Sequence, residues 1–291
     1  MKVLILGADG MIGHKMAQSL NEEYGLEIIL NSRSKSKVLS QLYPKCKVYK
    51  YDFLKDDINN FLDIVTPDII INALGITIRR GADDIKKAYQ INSVFPHKID
   101  KWVSKFSKRL IHFSTDCVYS GKKGDYLDHD IPDAKDNYGK TKADGEINSE
   151  NTLTIRSSMI GREIFNKTEL MEWIFSNKNK KIYGFNNVVY SGVTTLWMSK
   201  TVVKILKEFP DLSGIYNISS EPISKFDLIS KINNCFELNI DIEADSSFFS
   251  NKSLNSNKFF LKTNFEKPNW DKMLLRLYQD NIENSNIYNL K

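Results

Sequence analysis

Residues 2–16 read KVLILGADGMIGHKM, and this stretch decides the fold. The apolar run that ends at Leu6 predicts a strand, and the apolar spacing from Met11 onwards predicts a helix. The turn between them carries Gly7, Gly10 and Gly13 in a GxxGxxG spacing. Such a turn between a first strand and a first helix is typical of a phosphate site, because free N–H groups at the helix start point towards the anion. A tight structural turn is the alternative interpretation.

Outward from this stretch, strands alternate with segments long enough for helices. Apolar or β-branched runs predict further strands at 27–30, 48–51, 69–73, 109–114 and 153–156. This alternation predicts an α/β fold of the Rossmann type, with a doubly wound parallel sheet and a smaller C-terminal substrate-binding lobe. We expect residues 1–160, joined by part of 185–220, to form the dinucleotide-binding domain, and 161–291 to be mostly lobe. The polar tail 281–291 is expected to be poorly ordered.

The composition is that of a soluble globular protein, since 41% of the 291 residues are hydrophobic and 26% are charged. The net charge of +5 is spread along the chain, which suits a polyphosphate ligand better than a nucleic acid, although solvated lysines would give the same pattern. Three cysteines without metal-ligand spacing predict no metal site, no disulfide framework and a reducing compartment. The sequence shows no signal peptide and no membrane-spanning run, so we expect a cytoplasmic protein without a membrane partner.

The segment after the second strand is basic. Arg33, Lys35 and Lys37 follow this strand, and no acid lies between residues 31 and 37. In dinucleotide folds an acid near this point holds the ribose of NAD, whereas an arginine accommodates the extra phosphate of NADP. The sequence therefore favours NADPH over NADH. Solvated loop lysines are the plain alternative.

Two later strand ends offer room for the same cofactor. Asp52 and Phe53 follow the third strand, and the carboxylate of Asp52 offers acceptors to an adenine amine. The small-residue segment Ala73–Gly75 follows the fourth strand and leaves space for a ligand. Because ligands of doubly wound sheets bind beyond the carboxyl ends of the strands, all these residues are expected to face one crevice.

A tyrosine and a lysine four residues apart form the candidate acid–base centre. Tyr138 and Lys142 lie in the stretch YGKTK, on one face of a predicted helix. A nearby ammonium favours the phenolate and lowers the pKa of a phenol. The YxxxK spacing is common by chance, but Thr115 ends the preceding strand in the stretch STDCVY. A hydroxyl at a strand end followed by YxxxK is a much more specific pattern.

Together, GADGMIG, NALG, STDCVY and YGKTK resemble the extended short-chain dehydrogenase/reductase family. Within it, the chain most resembles the dTDP-4-dehydrorhamnose reductase group, which reduces 4-keto-6-deoxy sugars attached to a nucleotide. The resemblance covers nearly the whole chain, including LTIRSSMIG, SGVTT and GIYNISSEPISKFDL. It implies NADPH as cofactor, a nucleotide sugar as substrate, a role in cell-surface polysaccharide precursor synthesis, and it allows a homodimer.

The resemblance also implies roles for individual residues. The catalytic set would be Thr115, Tyr138 and Lys142. The cofactor would contact Gly7, Gly10, Met11, Ile12, Gly13, Arg33, Asp52, Phe53, Ala73, Leu74 and Gly75, together with Tyr138 and Lys142. The substrate would contact Thr115, Asp116 and Arg162.

One departure from the wider family separates its branches. Sugar-nucleotide 4,6-dehydratases carry an acid after the Thr-Asp pair, whereas this chain has Cys117. A thiol with a pKa of about 8.5 is a poor substitute for a carboxylic acid, so a dehydratase is disfavoured. A 4-epimerase stays open, although the missing acid after the second strand counts against its tightly held NAD. A non-catalytic NADP-binding regulatory subunit also stays open, and so does the nucleotide, dTDP or UDP.

Arginines supply the candidates for binding the substrate diphosphate. Arg156 ends the sixth predicted strand and Arg162 follows it. Arg79 and Arg80 lie in a predicted loop after the fourth strand. For Arg162, beside Gly161, a structural role is an equally good interpretation. No internal repeat and no interdomain linker are evident.

Overall fold

The computed structural model describes residues 1–77 and 84–289. Its strands are β1 (Lys2–Leu6), β2 (Glu27–Ser32), β3 (Lys47–Lys50), β4 (Ile69–Asn72), β5 (Arg109–Phe113), β6 (Thr152–Arg156), β7 (Met159–Ile160), β8 (Lys181–Phe185), β9 (Val188–Tyr190), β10 (Val193–Thr194), β11 (Gly214–Asn217), β12 (Ile223–Ser224), β13 (Asp241–Asp245) and β14 (Ser250–Asn251).

Its α-helices are α1 (Met11–Asn21), α2 (Ser36–Leu42), α3 (Ile58–Val65), α4 (Ile85–Tyr89), α5 (Phe95–Lys105), α6 (Asn137–Asp144), α7 (Leu170–Ser176), α8 (Thr195–Glu208), α9 (Lys225–Phe236), α10 (Asn257–Thr263), α11 (Trp270–Glu283) and α12 (Ser285–Tyr288). A π-helical turn, Gln90–Val94, joins α4 to α5, and a 3₁₀ turn, Asp116–Val118, follows β5.

Seven parallel strands form the central sheet in the order β11-β6-β5-β4-β1-β2-β3. The predicted doubly wound parallel sheet is confirmed. The direction of the strand order reverses at β1, which has β2 on one side and β4 on the other. A crevice opens at such a reversal, beyond the carboxyl ends of the strands. The fold therefore brings the turns after β1, β4 and β5 to one edge.

Each face of the central sheet is covered by its own hydrophobic core. Alternate residues of β1 pack into the one or the other, because successive side chains of a strand point to opposite faces. Val3 and Ile5 pack with apolar residues of α1 and α8 on one face. Leu4 and Leu6 pack with those of α3 and α5 on the other. Both faces of β1 are thus buried, which explains why its sequence is continuously apolar rather than alternating.

The C-terminal part adds small sheets beside this core. β8 pairs with β13, β9 lies between β12 and β14, and β7 pairs with β10. β11 returns to the central sheet, where it pairs with β6. No helix in the described part of the chain is long and apolar enough to cross a bilayer.

The expectation of a poorly ordered tail is wrong for residues 281–289. Helix α11 continues to Glu283, α12 follows it, and Tyr288 is only 3% exposed. The Tyr288 hydroxyl donates to Asp280, which pairs with Lys15 of α1 at 2.6 Å. The polar composition does not reveal this docking, because it depends on one buried aromatic ring, Tyr288, whose hydroxyl donates to Asp280 and whose carbonyl oxygen accepts from Lys167.

Candidate active site

The glycine turn forms a closely packed cradle at the start of α1. Gly7 has a φ of +76°, a left-handed value that favours glycine. A Cβ on Gly13 would lie 2.1 Å from the carbonyl oxygen of Gly7, so only glycine lets α1 pack this closely. Gly10 caps α1 without a side-chain hydrogen bond, and the first turn of the helix contains no acid. The free N–H groups at this helix start therefore fit an anion such as the pyrophosphate of a dinucleotide.

A cleft of about 520 Å³ runs from this turn to the ends of β2 and β3. Its lining includes the predicted residues Gly7, Gly10, Arg33, Asp52, Phe53, Ala73, Leu74 and Gly75. Phe165 and Asn166 also line it and were missed in the sequence, where they look like ordinary loop residues. The Lys35 ammonium lies 4.9 Å from the Phe165 ring centroid, so the loop after β7 contacts the basic segment after β2.

A second cleft of about 300 Å³ shares Gly10 and the segment Ala73–Gly75 with the first. Its lining includes the other predicted residues Met11, Ile12, Thr115, Asp116, Tyr138 and Lys142. The structure thus brings the whole predicted catalytic set together beside the glycine turn. Of the predicted cofactor residues, Gly13 lines neither cleft and instead packs behind the turn.

Helix α6 is held tightly against the end of β5. Asp136 caps the helix by accepting a hydrogen bond from the Gly139 N–H at 2.8 Å. A Cβ on Gly139 would lie 2.2 Å from the Cys117 carbonyl oxygen, so the helix packs directly on the turn after Thr115. Lys142 is buried and donates to the Phe113 carbonyl oxygen at 2.6 Å. Burial lowers the pKa of Lys142 to about 8, with the charge of Glu146 acting in the opposite direction.

Burial favours the protonated form of the Tyr138 phenol. Burial raises its pKa above the ordinary value of 10, and a hydrogen bond with the Thr115 side chain acts in the opposite direction. The net direction is opposite to the lowering expected from Lys142, and this part of the prediction needs correction. The reason is that burial disfavours the phenolate more than nearby groups favour it. A protonated phenol is the form that can donate a proton.

Cys117 lies in the turn after Thr115, and burial favours the protonated form of its thiol as well. Burial, with the neighbouring charge of Asp116, raises the pKa of this thiol to about 12. The Cys117 N–H donates to the Thr115 hydroxyl at 3.1 Å, and that hydroxyl lies 3.1 Å from an Asp116 carboxylate oxygen. Cys117 therefore supplies neither an acid nor a base near neutral pH.

Arg156 does not face either cleft. Its guanidinium makes a two-pronged ion pair with Glu146, with both distances 2.7 Å, and donates to the Tyr119 hydroxyl at 2.6 Å. Ser114 donates to the same Glu146 carboxylate at 2.6 Å. The expectation that Arg156 binds a diphosphate is wrong, because its guanidinium is buried against Glu146 and Tyr119 and lines neither cleft.

Arg162 is likewise engaged away from the clefts. It pairs with Glu172 at 2.8 Å and donates to the Asn281 side chain. Its guanidinium lies 4.4 Å and 4.8 Å from the ring centroids of Phe175 and Tyr288. The structure does not bring Arg162 to the predicted substrate residues Thr115 and Asp116. The other candidates, Arg79 and Arg80, lie outside the described residues.

Several residues of the second cleft were not singled out in the sequence. Ser157, Ser158 and Met159 line it directly after β6, where position beyond a parallel strand is the signal that identifies them. Thr77 and Glu169 also line it, and the Thr77 hydroxyl donates to the Glu169 carboxylate at 3.1 Å.

The family model described as RmlD substrate binding domain matches residues 1–237. The chain belongs to this family. The predicted family is thereby confirmed, along with its Rossmann-type fold.

Named relatives agree with this membership. A dTDP-4-dehydrorhamnose reductase of Aggregatibacter actinomycetemcomitans is 26% identical over 232 residues, which cover 76% of this chain and 74% of that protein. The spore coat polysaccharide biosynthesis protein SpsK of Bacillus subtilis is 25% identical over 229 residues, covering 76% and 74%. Among solved structures, dTDP-4-dehydrorhamnose reductase from Bacillus anthracis in complex with NADP has a TM-score of 0.74 at 18% identity, covering 96% of this chain and 98% of that one. This structural likeness concerns the fold alone.

Proposed function

We propose that this protein reduces the 4-keto group of a nucleotide-linked 4-keto-6-deoxyhexose, with NADPH as the hydride donor. The observation that carries the proposal is the convergence of Thr115, Tyr138 and Lys142 on one cleft that shares its lining with the glycine turn. Membership of the RmlD substrate binding domain family supports a sugar-nucleotide reductase. Among its relatives, SpsK is named for polysaccharide biosynthesis, and we assign the reaction to the supply of cell-surface polysaccharide precursors.

NADPH fits the arrangement of the first cleft. The pyrophosphate would be held by the N–H groups at the start of α1, and the adenosine half by Asp52 and Phe53. Arg33 lines the same cleft and would meet the 2′-phosphate. The related reductase from Bacillus anthracis was solved with NADP. Bound NADPH would supply the hydride for the ketone carbon.

The residues of the second cleft would transfer the proton to the sugar oxygen. Tyr138 would donate it to the developing alkoxide, because its phenol is protonated and lines the cleft. Thr115 would hydrogen-bond the same oxygen. Lys142, held by the Phe113 carbonyl, would place its charge beside the nicotinamide ribose and the tyrosine.

A dehydratase reaction is disfavoured by the same geometry. Elimination of water from the sugar needs an acid and a base beside carbons 5 and 6, and the position after Asp116 carries a thiol whose pKa is about 12. An epimerase would use the same hydroxyl, tyrosine and lysine, and would need a tightly held NAD. The basic segment around Arg33 favours exchangeable NADPH instead.

The test is a turnover assay with NADPH and a panel of dTDP- and UDP-linked 4-keto sugars. We expect the parent protein to oxidise NADPH with at least one of them. Tyr138→Phe should lose about 10²–10⁴-fold in turnover, as expected for removal of a general acid. It should keep its affinity for NADPH, measured by nucleotide fluorescence. The exposed Tyr183 offers a matched control, and Tyr183→Phe should retain the parent rate.

Two results would contradict the proposal. If Tyr138→Phe turned over near the parent rate, Tyr138 would not be the proton donor. NADPH binding by the parent protein without turnover of any sugar in the panel would favour the regulatory-subunit alternative. The panel also decides between dTDP and UDP, and a native mass spectrum of the same sample decides whether the protein is a homodimer.

A further inference from the structure

Tyr190, the last residue of β9, carries a hydroxyl group that is buried without a partner. The residue is only 4% exposed, and its hydroxyl has no hydrogen bond of full geometry within the described part of the chain. Leaving a buried hydroxyl unpaired costs a fold about as much free energy as losing a hydrogen bond. A group of this kind is explained if it forms its hydrogen bond only when a ligand is bound.

The ring of Tyr190 is held on several sides. Tyr190 pairs with Ile223 where β9 meets β12. The Lys225 ammonium lies 3.9 Å from the centroid of the Tyr190 ring, and the centroid of the Trp270 ring lies 5.8 Å from it. A Cβ on Gly192 would lie 2.0 Å from the Tyr190 hydroxyl oxygen, so the ring can fold back over this position only because it is a glycine. A side chain held in this way can fix the position of a neighbouring polar group.

The hydroxyl of Tyr190 lies close to the wall of the second cleft. Ser158 and Asp116 belong to that wall. Burial raises the pKa of Tyr190, the nearby Asp116 carboxylate acts in the same direction, and the Ser158 side chain acts in the opposite one. The Ser158 carbonyl oxygen also accepts the Val193 N–H at 2.9 Å, which joins the wall to the segment after Tyr190. Tyr190 does not itself line the cleft, so its effect on a substrate would pass through a residue of the wall.

We propose that Tyr190 is a positioning residue for the substrate: its hydroxyl donates to the Ser158 hydroxyl, which donates in turn to an acceptor oxygen of the bound sugar. The inference rests on the proposed function and adds to it a substrate-binding residue, Ser158, and the residue that orients it. Sugar hydroxyls and the carbonyls of acylamino substituents both offer such an oxygen.

The chemistry of the two hydroxyls fits this chain of hydrogen bonds. A serine hydroxyl rotates, and it can accept one hydrogen bond while it donates another. The Tyr190 phenol stays protonated near neutral pH, because burial disfavours the phenolate, and it is therefore available as a donor. Hydrogen bonds in a chain polarise and strengthen one another. The bond from Tyr190 forms when the sugar oxygen turns the Ser158 hydroxyl into line.

The test is a double-mutant cycle on Tyr190→Phe and Ser158→Ala, assayed with NADPH and the sugar nucleotide that the parent reduces. Ser158→Ala should raise KM for the sugar nucleotide about 3- to 10-fold, the effect of losing one neutral hydrogen bond. Tyr190→Phe should raise it about threefold. The double variant should have the KM of Ser158→Ala alone, because Tyr190 acts through Ser158. The kcat values and the affinity for NADPH should stay close to those of the parent in all three variants.

Urea unfolding of the same proteins separates this role from a structural one. Tyr190→Phe keeps the ring and removes an unpaired buried hydroxyl, so its urea midpoint should stay at or above that of the parent. Tyr43→Phe is the matched control, since Tyr43 is 5% exposed and its hydroxyl donates to the His14 carbonyl oxygen at 3.1 Å. This control should have a lower urea midpoint and an unchanged KM for the sugar nucleotide. A purely structural role would give Tyr190→Phe the same pattern as Tyr43→Phe.

A parent-like KM in Tyr190→Phe would overturn the inference while the proposed function stood. So would a double variant whose increase in KM is the product of the two single increases, because the two hydroxyls would then act independently. If Tyr190→Phe does not fold, Ser158→Ala decides, since a parent-like KM in that variant also overturns the inference. A parent that reduces no 4-keto sugar would overturn the proposed function together with this inference, so the parent alone tells the two failures apart.

Discussion

The ammonium nitrogen of Lys142 lies 2.6 Å from the carbonyl oxygen of Phe113, the last residue of β5. This bond links α6, which carries Tyr138, to the strand that is followed by Thr115. The lysine is buried, and its pKa falls to about 8 because burial disfavours the charged form. The contact with Phe113 therefore fixes the position of the charge, while burial lowers the pH at which the charge is lost.

The first prediction concerns pH. Below about pH 8 Lys142 is an ammonium, and above it the residue loses the proton and the charge. We expect kcat/KM to fall as pH rises through about 8, since Tyr138 has a raised pKa and stays protonated. A profile from pH 6 to 10 tests this. Lys140→Met, on the exposed side of α6, should keep the descending limb. A flat profile to pH 9.5 would contradict the assignment.

The second prediction concerns cofactor choice. Arg33 is exposed and lines the first cleft, which has a volume of about 520 Å³. Arg33→Ala should raise KM for NADPH about tenfold, the expected effect of losing a charge-assisted hydrogen bond to phosphate. It should leave KM for NADH unchanged. Lys37→Ala, an exposed lysine outside the lining, is the control and should resemble the parent. Equal effects of Arg33→Ala on both cofactors would show that Arg33 does not meet the 2′-phosphate.

The third prediction concerns the glycine turn. A methyl group on Gly13 would lie 2.1 Å from the Gly7 carbonyl oxygen, whereas one on Gly10 would lie 3.3 Å from the same atom. Gly13→Ala should therefore destabilise the fold by about 1–3 kcal/mol, the usual cost of overpacking, and weaken NADPH binding strongly. Gly10→Ala should lower the unfolding free energy by a smaller amount. Urea unfolding and NADPH titration of both variants check the order, and the reverse order would refute the packing argument.

The fourth prediction concerns the buried ion pair behind the site. The side chains of Arg156 and Glu146 are only 3% and 5% exposed. Arg156→Leu should cost about 3–5 kcal/mol in unfolding free energy, because Glu146 would stay buried without its partner. The double variant Arg156→Leu/Glu146→Leu should cost less than the single one. Lys231→Ala, which breaks an exposed pair with Asp271, is the control and should cost about 0–1 kcal/mol. A double variant with a lower unfolding free energy than Arg156→Leu would contradict this account.

The features that were predictable from the sequence depend on local patterns. The glycine turn, the strand ends and the YxxxK spacing are each read within a few residues, and the parallel sheet brings them together by its topology. Thr115, Tyr138 and Lys142 therefore met in the structure as expected, and so did Arg33 and Asp52 beside the turn.

What escaped prediction depends on partners distant in sequence or on burial. Arg156 and Arg162 looked like free cations, because the glutamates that neutralise them, Glu146 and Glu172, are recognisable as partners only in three dimensions. Glu169 was not singled out as a site residue, since nothing local shows that its side chain contacts Thr77. The direction of the pKa shift of Tyr138 was missed because the four-residue spacing to Lys142 does not show how deeply the phenol is buried.

Lys15 and Asp280 form a buried ion pair although 265 positions separate them along the chain. Lys15 belongs to α1, the helix that begins at the glycine turn, and Asp280 belongs to α11. Because α1 is translated before α11, Lys15 gains its buried partner only after the sequence between the two helices has been synthesised. The packing of α1 in a nascent chain is therefore incomplete until α11 has left the ribosome.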